Sequence, residues 1–219
     1  MPAFLLILGL AHATPPDVVL ARLDTGLRAL AETGVIASFG STTEVRYSDP
    51  DGTDAHVDVV ETRHTPGSDG RFTGTVVSHL RDGVSVTEEE KKGKDEGEGE
   101  TPTLSAPVGK DRSRYVFGDI QAEGATAVAS YSPAAGVPSA KDLATGRVAW
   151  DPATEAPLWI EYRPVQKPML VQSLFVRVDL TCSGDQCRAW RLLTRGQGGL
   201  PGLRKSFVCD VRFHDVVWL

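Results

Sequence analysis

Strict apolar alternation, interrupted at short intervals by turn residues, constrains this chain more than anything else in it. Leu174, Val176, Val178 and Leu180 alternate with Phe175, Arg177 and Asp179. Successive side chains on a strand point to opposite faces, so such a run buries one face and wets the other. Ala55 to Thr65 alternates too, with Ala55, Val57 and Val59 against His56, Asp58 and Val60. Further strands are expected over Val35–Tyr47, Arg71–Leu80, Arg114–Phe117, Thr126–Tyr131, Gly146–Trp150, Leu158–Arg163, Arg188–Arg195 and Phe207–Trp218. Turn sequences such as Ser48-Asp49-Pro50-Asp51-Gly52 and Pro66-Gly67-Ser68-Asp69-Gly70 separate them.

One segment has the other periodicity. Pro15-Pro16-Asp17 opens a helix, Val18, Leu20, Leu23, Leu27, Leu30 and Ala31 recur near helical spacing, and Thr33-Gly34 stops it. A second, short helix is expected over Ser139–Ala144. The fold class is therefore α+β: an antiparallel sheet with one long N-terminal helix. At 219 residues, 41% of them hydrophobic, the chain suffices for one domain with a sizeable core. Glu88 to Glu100 contains no apolar residue and can bury nothing. It reads as a charged, solvated insertion at about 86–106 within a single domain of residues 14–219. A partner-binding acidic segment is its functional alternative.

The formal net charge of −6 and the lack of a Lys/Arg cluster exclude the electrostatics of a nucleic-acid binder. Phe4 to Leu10 is an apolar run too short to span a bilayer, and it leads into Ala11-His12-Ala13. This predicts a signal peptide cleaved after Ala13 and a mature protein in the periplasm or outside the cell. No Lys or Arg precedes the run, so a misassigned start or a buried element is the alternative. Cys182 and Cys187 flank Ser183-Gly184-Asp185-Gln186 between two alternating runs. A four-residue hairpin loop would bring them within disulfide reach, which requires an oxidising compartment. Reduced surface thiols are the other reading. Cys209 shares parity with Val211 and Phe213 and reads as a buried apolar thiol.

Catalytic and metal motifs are weak. His56, Asp58 and His64 share strand parity and His79 lies on a later strand, but surface residues on a wet face explain them as well as a metal site does. Asp49 to Asp54 lacks the terminal Glu of a calcium loop and reads as a turn. Gly-x-Ser-x-Gly, His-Glu-x-x-His and phosphate-loop motifs are absent from the sequence. Neither a catalytic residue, a metal nor a cofactor is assigned. The aromatics Trp150, Trp159, Tyr162, Phe175 and Trp190 fall on consecutive strands and are either core or the lining of a ligand groove.

One helix followed by a long meander resembles the lipoprotein carriers LolA and LolB and the N-terminal domain of the sigma-regulator RseB. The local likeness is the hairpin Gly146 to Pro157, with Asp151, Thr154 and Pro157 at its turn, followed by Lys167-Pro168 and the loop Gly196-Gln197-Gly198-Gly199. The resemblance implies a strongly curved half-barrel whose concave apolar face holds acyl chains under short lid helices, without a cofactor. It assigns no residue. The function it implies is non-catalytic binding of a lipid or acylated protein by a monomer, as in outer-membrane lipoprotein sorting. The rivals are an envelope protein-interaction or sensor module and a hydrolase with an unrecognised site.

Overall fold

The computed structural model describes residues 14–32, 36–67, 72–86, 107, 109–138, 143–167, 170–184, 186–200 and 204–218. The Ala11-His12-Ala13 site and the charged stretch from Glu88 to Glu100 lie outside them.

Helix α1 spans Pro16–Glu32. Strands β1 (Ile36–Ser48), β2 (His56–Pro66), β3 (Phe72–Arg81) and β4 (Val84–Ser85) follow. A 3-10 turn at Gly109–Arg114 leads into β5 (Tyr115–Phe117), β6 (Gln121–Glu123), β7 (Thr126–Pro133), β8 (Ala144–Trp150) and β9 (Pro157–Pro164). The chain ends on β10 (Val171–Ser183), β11 (Gln186–Gly198) and β12 (Lys205–Trp218). These strands form one sheet in the order β4-β3-β2-β1-β12-β11-β10-β9-β8-β7-β5, with β6 on β7. The pairs are antiparallel, and β4 does not meet β5 among the described residues, so the sheet is open.

The alternating runs became strands because a period of two suits a surface packed on one side. Most pairings join strands consecutive in the chain. The exceptions are β5–β7 and β1–β12, the latter pairing Val45 with Cys209 and Ser41 with Phe213 and so joining the first strand to the last.

Two expectations about helices need correction. The lid helices implied by the resemblance are not found among the described residues, where α1 is accompanied only by the 3-10 turn. The helix expected over Ser139–Ala144 does not extend to its expected end: Ala144 opens β8, paired with Pro164 on β9. Residues 139–142 lie outside the described set.

The core forms where α1 lies on the sheet. Val19, Leu20 and Leu23 are fully buried, whereas Val18 is 48% exposed. The inward stripe is thus Pro16, Val19, Leu20 and Leu23, at the i, i+3, i+4, i+7 spacing of one helix face, and Val18 falls off it. Val19, Leu20 and Leu23 join Tyr115, Tyr131, Leu143, Val148, Trp150, Ile160 and Cys187 in one cluster. Gly146 is required there: a Cβ on it would lie 2.0 Å from the Glu161 carbonyl oxygen and 2.6 Å from the Tyr131 hydroxyl. The Tyr131 phenol passes over this glycine and donates to the Glu161 carbonyl at 3.4 Å.

Candidate functional site

Residues directly opposite on paired strands share a face. One row on the helix-bearing face runs Ala129, Val148, Ile160, Val178, Leu192, Val211, Thr43, Val60, His79, from β7 across to β3. Its character changes along the way. Ala129, Val148, Ile160 and Val178 are buried, while Leu192, Val211, Thr43, Val60 and His79 are only half-buried. α1 packs on β9 and β11 and accounts for the buried half. The apolar surface continues past it, onto β12, β1, β2 and β3.

That continuation carries aromatic side chains. Phe39 stacks on the His64 imidazole with ring centroids 4.4 Å apart. It meets Phe72 edge-on at 5.0 Å and Phe213 at 6.1 Å. Ser41 is buried and lies 2.9 Å from His64 Nε2 through its hydroxyl. Burial holds the His64 pKa below its ordinary value, so the ring is neutral at pH 7. Val45, Cys209 and Val211 extend the apolar surface, and burial raises the Cys209 thiol above its usual value. A Ser–His pair invites comparison with a hydrolase. Among the described residues, however, His64 has no carboxylate to orient it, and Ser41 has no base beyond this one contact.

The opposite face is ionic. Arg147 binds Glu123 at 2.8 Å and Glu161 at 2.6 Å. Arg177 binds Asp179 at 2.7 Å, and Arg191 binds Asp210 at 2.8 Å. Arg212 reaches Asp210 at 3.3 Å. These groups alternate in sign across β6 and β8 to β12, which is what a solvated sheet face requires.

The structure distributes the five sequence-identified aromatics over different places. Trp150 (0% exposed) and Tyr162 (6%) belong to the core beneath α1. The buried Trp150 Nε1 has no hydrogen-bond acceptor among the described residues. Trp159 lies on the ionic face, with the Arg177 guanidinium 4.5 Å and the Arg147 guanidinium 5.4 Å from its ring centroid. Phe175 is on that face too, beneath the Arg163 guanidinium at 5.4 Å. Trp190, 42% exposed, is the extra residue of the bulge between Ala189↔Leu180 and Arg191↔Asp179. The five therefore do not line one groove. Trp159 and Tyr162 are three apart on β9, and that spacing alone places them on opposite faces. Phe39, His64, Phe72 and Phe213 were not singled out as a group, since only the β1–β12, β1–β2 and β2–β3 pairings bring them together.

Cys182 and Cys187 are bonded across the β10–β11 hairpin, with Cα atoms 4.1 Å apart. The loop is tighter than the four-residue turn expected: Ser183 still pairs with Gln186, and Gly184 at φ 60° turns the chain. Asp151 caps the β8–β9 turn by accepting from the Ala153 N–H and the Thr154 hydroxyl. No group of three or more His, Cys, Asp or Glu among the described residues is arranged to hold a metal. His56 instead contacts Asp82 at 3.0 Å and Asp54 at 3.3 Å, and His79 approaches Asp58 at 3.5 Å. In the Asp49–Asp54 turn the Lys205 ammonium binds Asp49 at 2.9 Å and Asp54 at 2.7 Å, an internal cation where calcium would otherwise be considered. No described helix is long and apolar enough to cross a membrane.

No family model matches the chain. No curated protein matches it. Among solved structures it is similar to the crystal structure of a Vibrio parahaemolyticus domain named for outer membrane lipoprotein sorting. The superposition covers 87% of this chain and 88% of that one, with 11% identity and a TM-score of 0.35. The likeness is distant and concerns the fold alone.

Proposed function

We propose that this protein is a non-catalytic binding protein of the cell envelope that buries the acyl chain of a lipid or lipoprotein on its helix-bearing face. The observation that carries this reading is the apolar row that fades from buried to half-buried as it leaves α1. The acyl chain would lie over β12, β1, β2 and β3, against Val211, Val60, Phe213 and Phe39. Each methylene transferred there gains about 0.8 kcal/mol. The Cys182–Cys187 bond supports an oxidising compartment such as the periplasm.

The test is binding of a fluorescent fatty acid to the purified protein. Saturation in the micromolar range, displacement by lipid and weakening in Val60→Asp and Phe213→Asp are expected. The variants' circular dichroism spectra should stay unchanged, and Val211→Asp serves if either fails to fold. Lack of binding at micromolar protein, or equal binding by the folded variants, sinks the reading.

A second reading rests on the β3–β4 edge of the sheet, where Val76, Val77 and Val84 are exposed. An envelope interaction module would add a partner's strand there. Val77→Lys with Val84→Lys would then abolish partner capture and leave fatty-acid binding intact.

A further inference from the structure

β9 and β10 pair only from Trp159↔Asp179 to Tyr162↔Val176. Beyond that point Arg163 and Pro164 continue along β8, and the strands part on the β10 side. A groove of 580 Å³ opens where they separate. Its apolar lining includes Phe175, Leu174 and Val208, and Phe207 lies across Gly196, where a Cβ would come within 2.5 Å of the ring. Its charged lining is cationic: Arg163, Lys167 and Arg195, beside the neutral Gln172, Ser173, Gln197 and Ser206. None of the described lining residues is Asp or Glu.

Four arginines on the central strands of the same face are in a different state. Arg147, Arg177, Arg191 and Arg212 each have a carboxylate within 3.3 Å. Arg163 and Arg195, both exposed, have none among the described residues, and Arg163 contacts only the Phe175 ring. Lys167 donates to the Gln172 carbonyl, which anchors its ammonium at the groove. The side-chain amide of Gln172 stands against the Arg204 guanidinium, adding a further cation nearby. The groove therefore gathers positive charge that no described carboxylate answers. Guanidinium groups bind carboxylate and phosphate oxygens in pairs, and a partly enclosed site strengthens the attraction. The apolar floor suits a hydrocarbon body attached to that anion.

The geometry points to a binding site for an anionic amphiphile, its phosphate or carboxylate head between Arg163 and Arg195 and its apolar body against Phe175. Arg163, Arg195 and Phe175 stand on the face opposite the apolar surface over β12 to β3. The head could be that of a phospholipid, that of a fatty acid or a free phosphate ion, and the ligands tested separate these sources.

Calorimetric titration of the full chain with dodecyl phosphate, laurate, inorganic phosphate and uncharged dodecanol tests the assignment. Dodecyl phosphate or laurate should bind, inorganic phosphate more weakly and dodecanol weakest. Arg163→Gln with Arg195→Gln should weaken the charged amphiphiles by about tenfold or more, and Arg163→Lys with Arg195→Lys should restore part of that loss. Raising the salt concentration should weaken binding as well. Inorganic phosphate binding as tightly as dodecyl phosphate overturns the amphiphile. Equal affinity of the Gln variant, or dodecanol matching dodecyl phosphate, overturns the site. Phe213→Asp should leave intact the part of the affinity that Arg163→Gln with Arg195→Gln removes, so the failure of this site and the failure of the acyl-chain reading are separately visible.

Discussion

Arg191 on β11 grips Asp210 on β12 with two parallel contacts, Nε to Oδ1 and Nη2 to Oδ2, each 2.8 Å long. The hydrogen bond from Arg191, with the attraction of its charge, holds the Asp210 carboxyl below the usual carboxylate range. The same carboxylate also separates Arg191 from Arg212, which stand directly opposite each other in the ladder. Removing the fork leaves a partly buried charge without its main partner. Arg191→Ala should lower unfolding stability by about 1–2 kcal/mol, whereas exposed Arg212→Ala should change it by less than about 0.5 kcal/mol. Urea denaturation at pH 7 measures both. The depressed folded-state pKa of Asp210 means that its contribution is present above the unfolded value and lost as pH falls through the folded one. The gap between wild type and Arg191→Ala should therefore close in acid.

The helix contributes through a narrow stripe. Leu20 and Leu23 are fully buried on the sheet, so Leu23→Ala should cost about 2–5 kcal/mol in the same assay. Val18→Ala, on the exposed side of the same helix, should stay within about 0.5 kcal/mol. Equal losses from the two substitutions would contradict the packing of α1.

The Cys182–Cys187 bond closes a loop with a sequence separation of 5. Loop-closure entropy for so short a loop is worth about 2 kcal/mol. The double variant Cys182→Ala, Cys187→Ala should lose that amount and become insensitive to reductant. The native protein should lose it only when reduced. Thiol labelling of the unfolded, non-reduced chain should find Cys209 alone.

Two histidines should titrate on opposite sides of the ordinary value of 6.5. The hydrogen bond and charge of Asp82, with Asp54, raise the pKa of His56. Burial against Phe39 lowers that of His64. The signs of the linkage differ accordingly. The stability from His56 is fully present below the unfolded pKa and fades as pH rises through the folded one. The neutral His64 favours the folded state above the unfolded pKa, and that advantage falls away as pH drops below it. Proton NMR titration of the two imidazoles should show His56 charging first on acidification. His64→Phe should keep the ring stack and remove the lower transition.

Most of the secondary structure was legible because its signals are local. Leu174 to Leu180 alternates whatever surrounds it, and Asp151 to Pro157 can only turn. The hairpin order of β1 to β3 and β7 to β11 follows from short turns between neighbours. The candidate site was not legible to the same degree. Trp150, Trp159, Tyr162, Phe175 and Trp190 looked alike as aromatics on successive strands. Parity separates Trp159 from Tyr162, but parity does not say which face α1 covers.

By itself, then, the sequence determined a mainly antiparallel sheet, one amphipathic helix, a pair of cysteines across a hairpin and two chemically different faces. The period of two and the period of 3.6 are properties of the chain alone. Only the tertiary structure decided which of those faces is core and where the core stops. Three long-range events settled that: the docking of Leu20 and Leu23, the pairing of Val45 with Cys209, and the parting of β9 from β10 beyond Tyr162. Each depends on surfaces distant in sequence meeting in space, which no local period encodes.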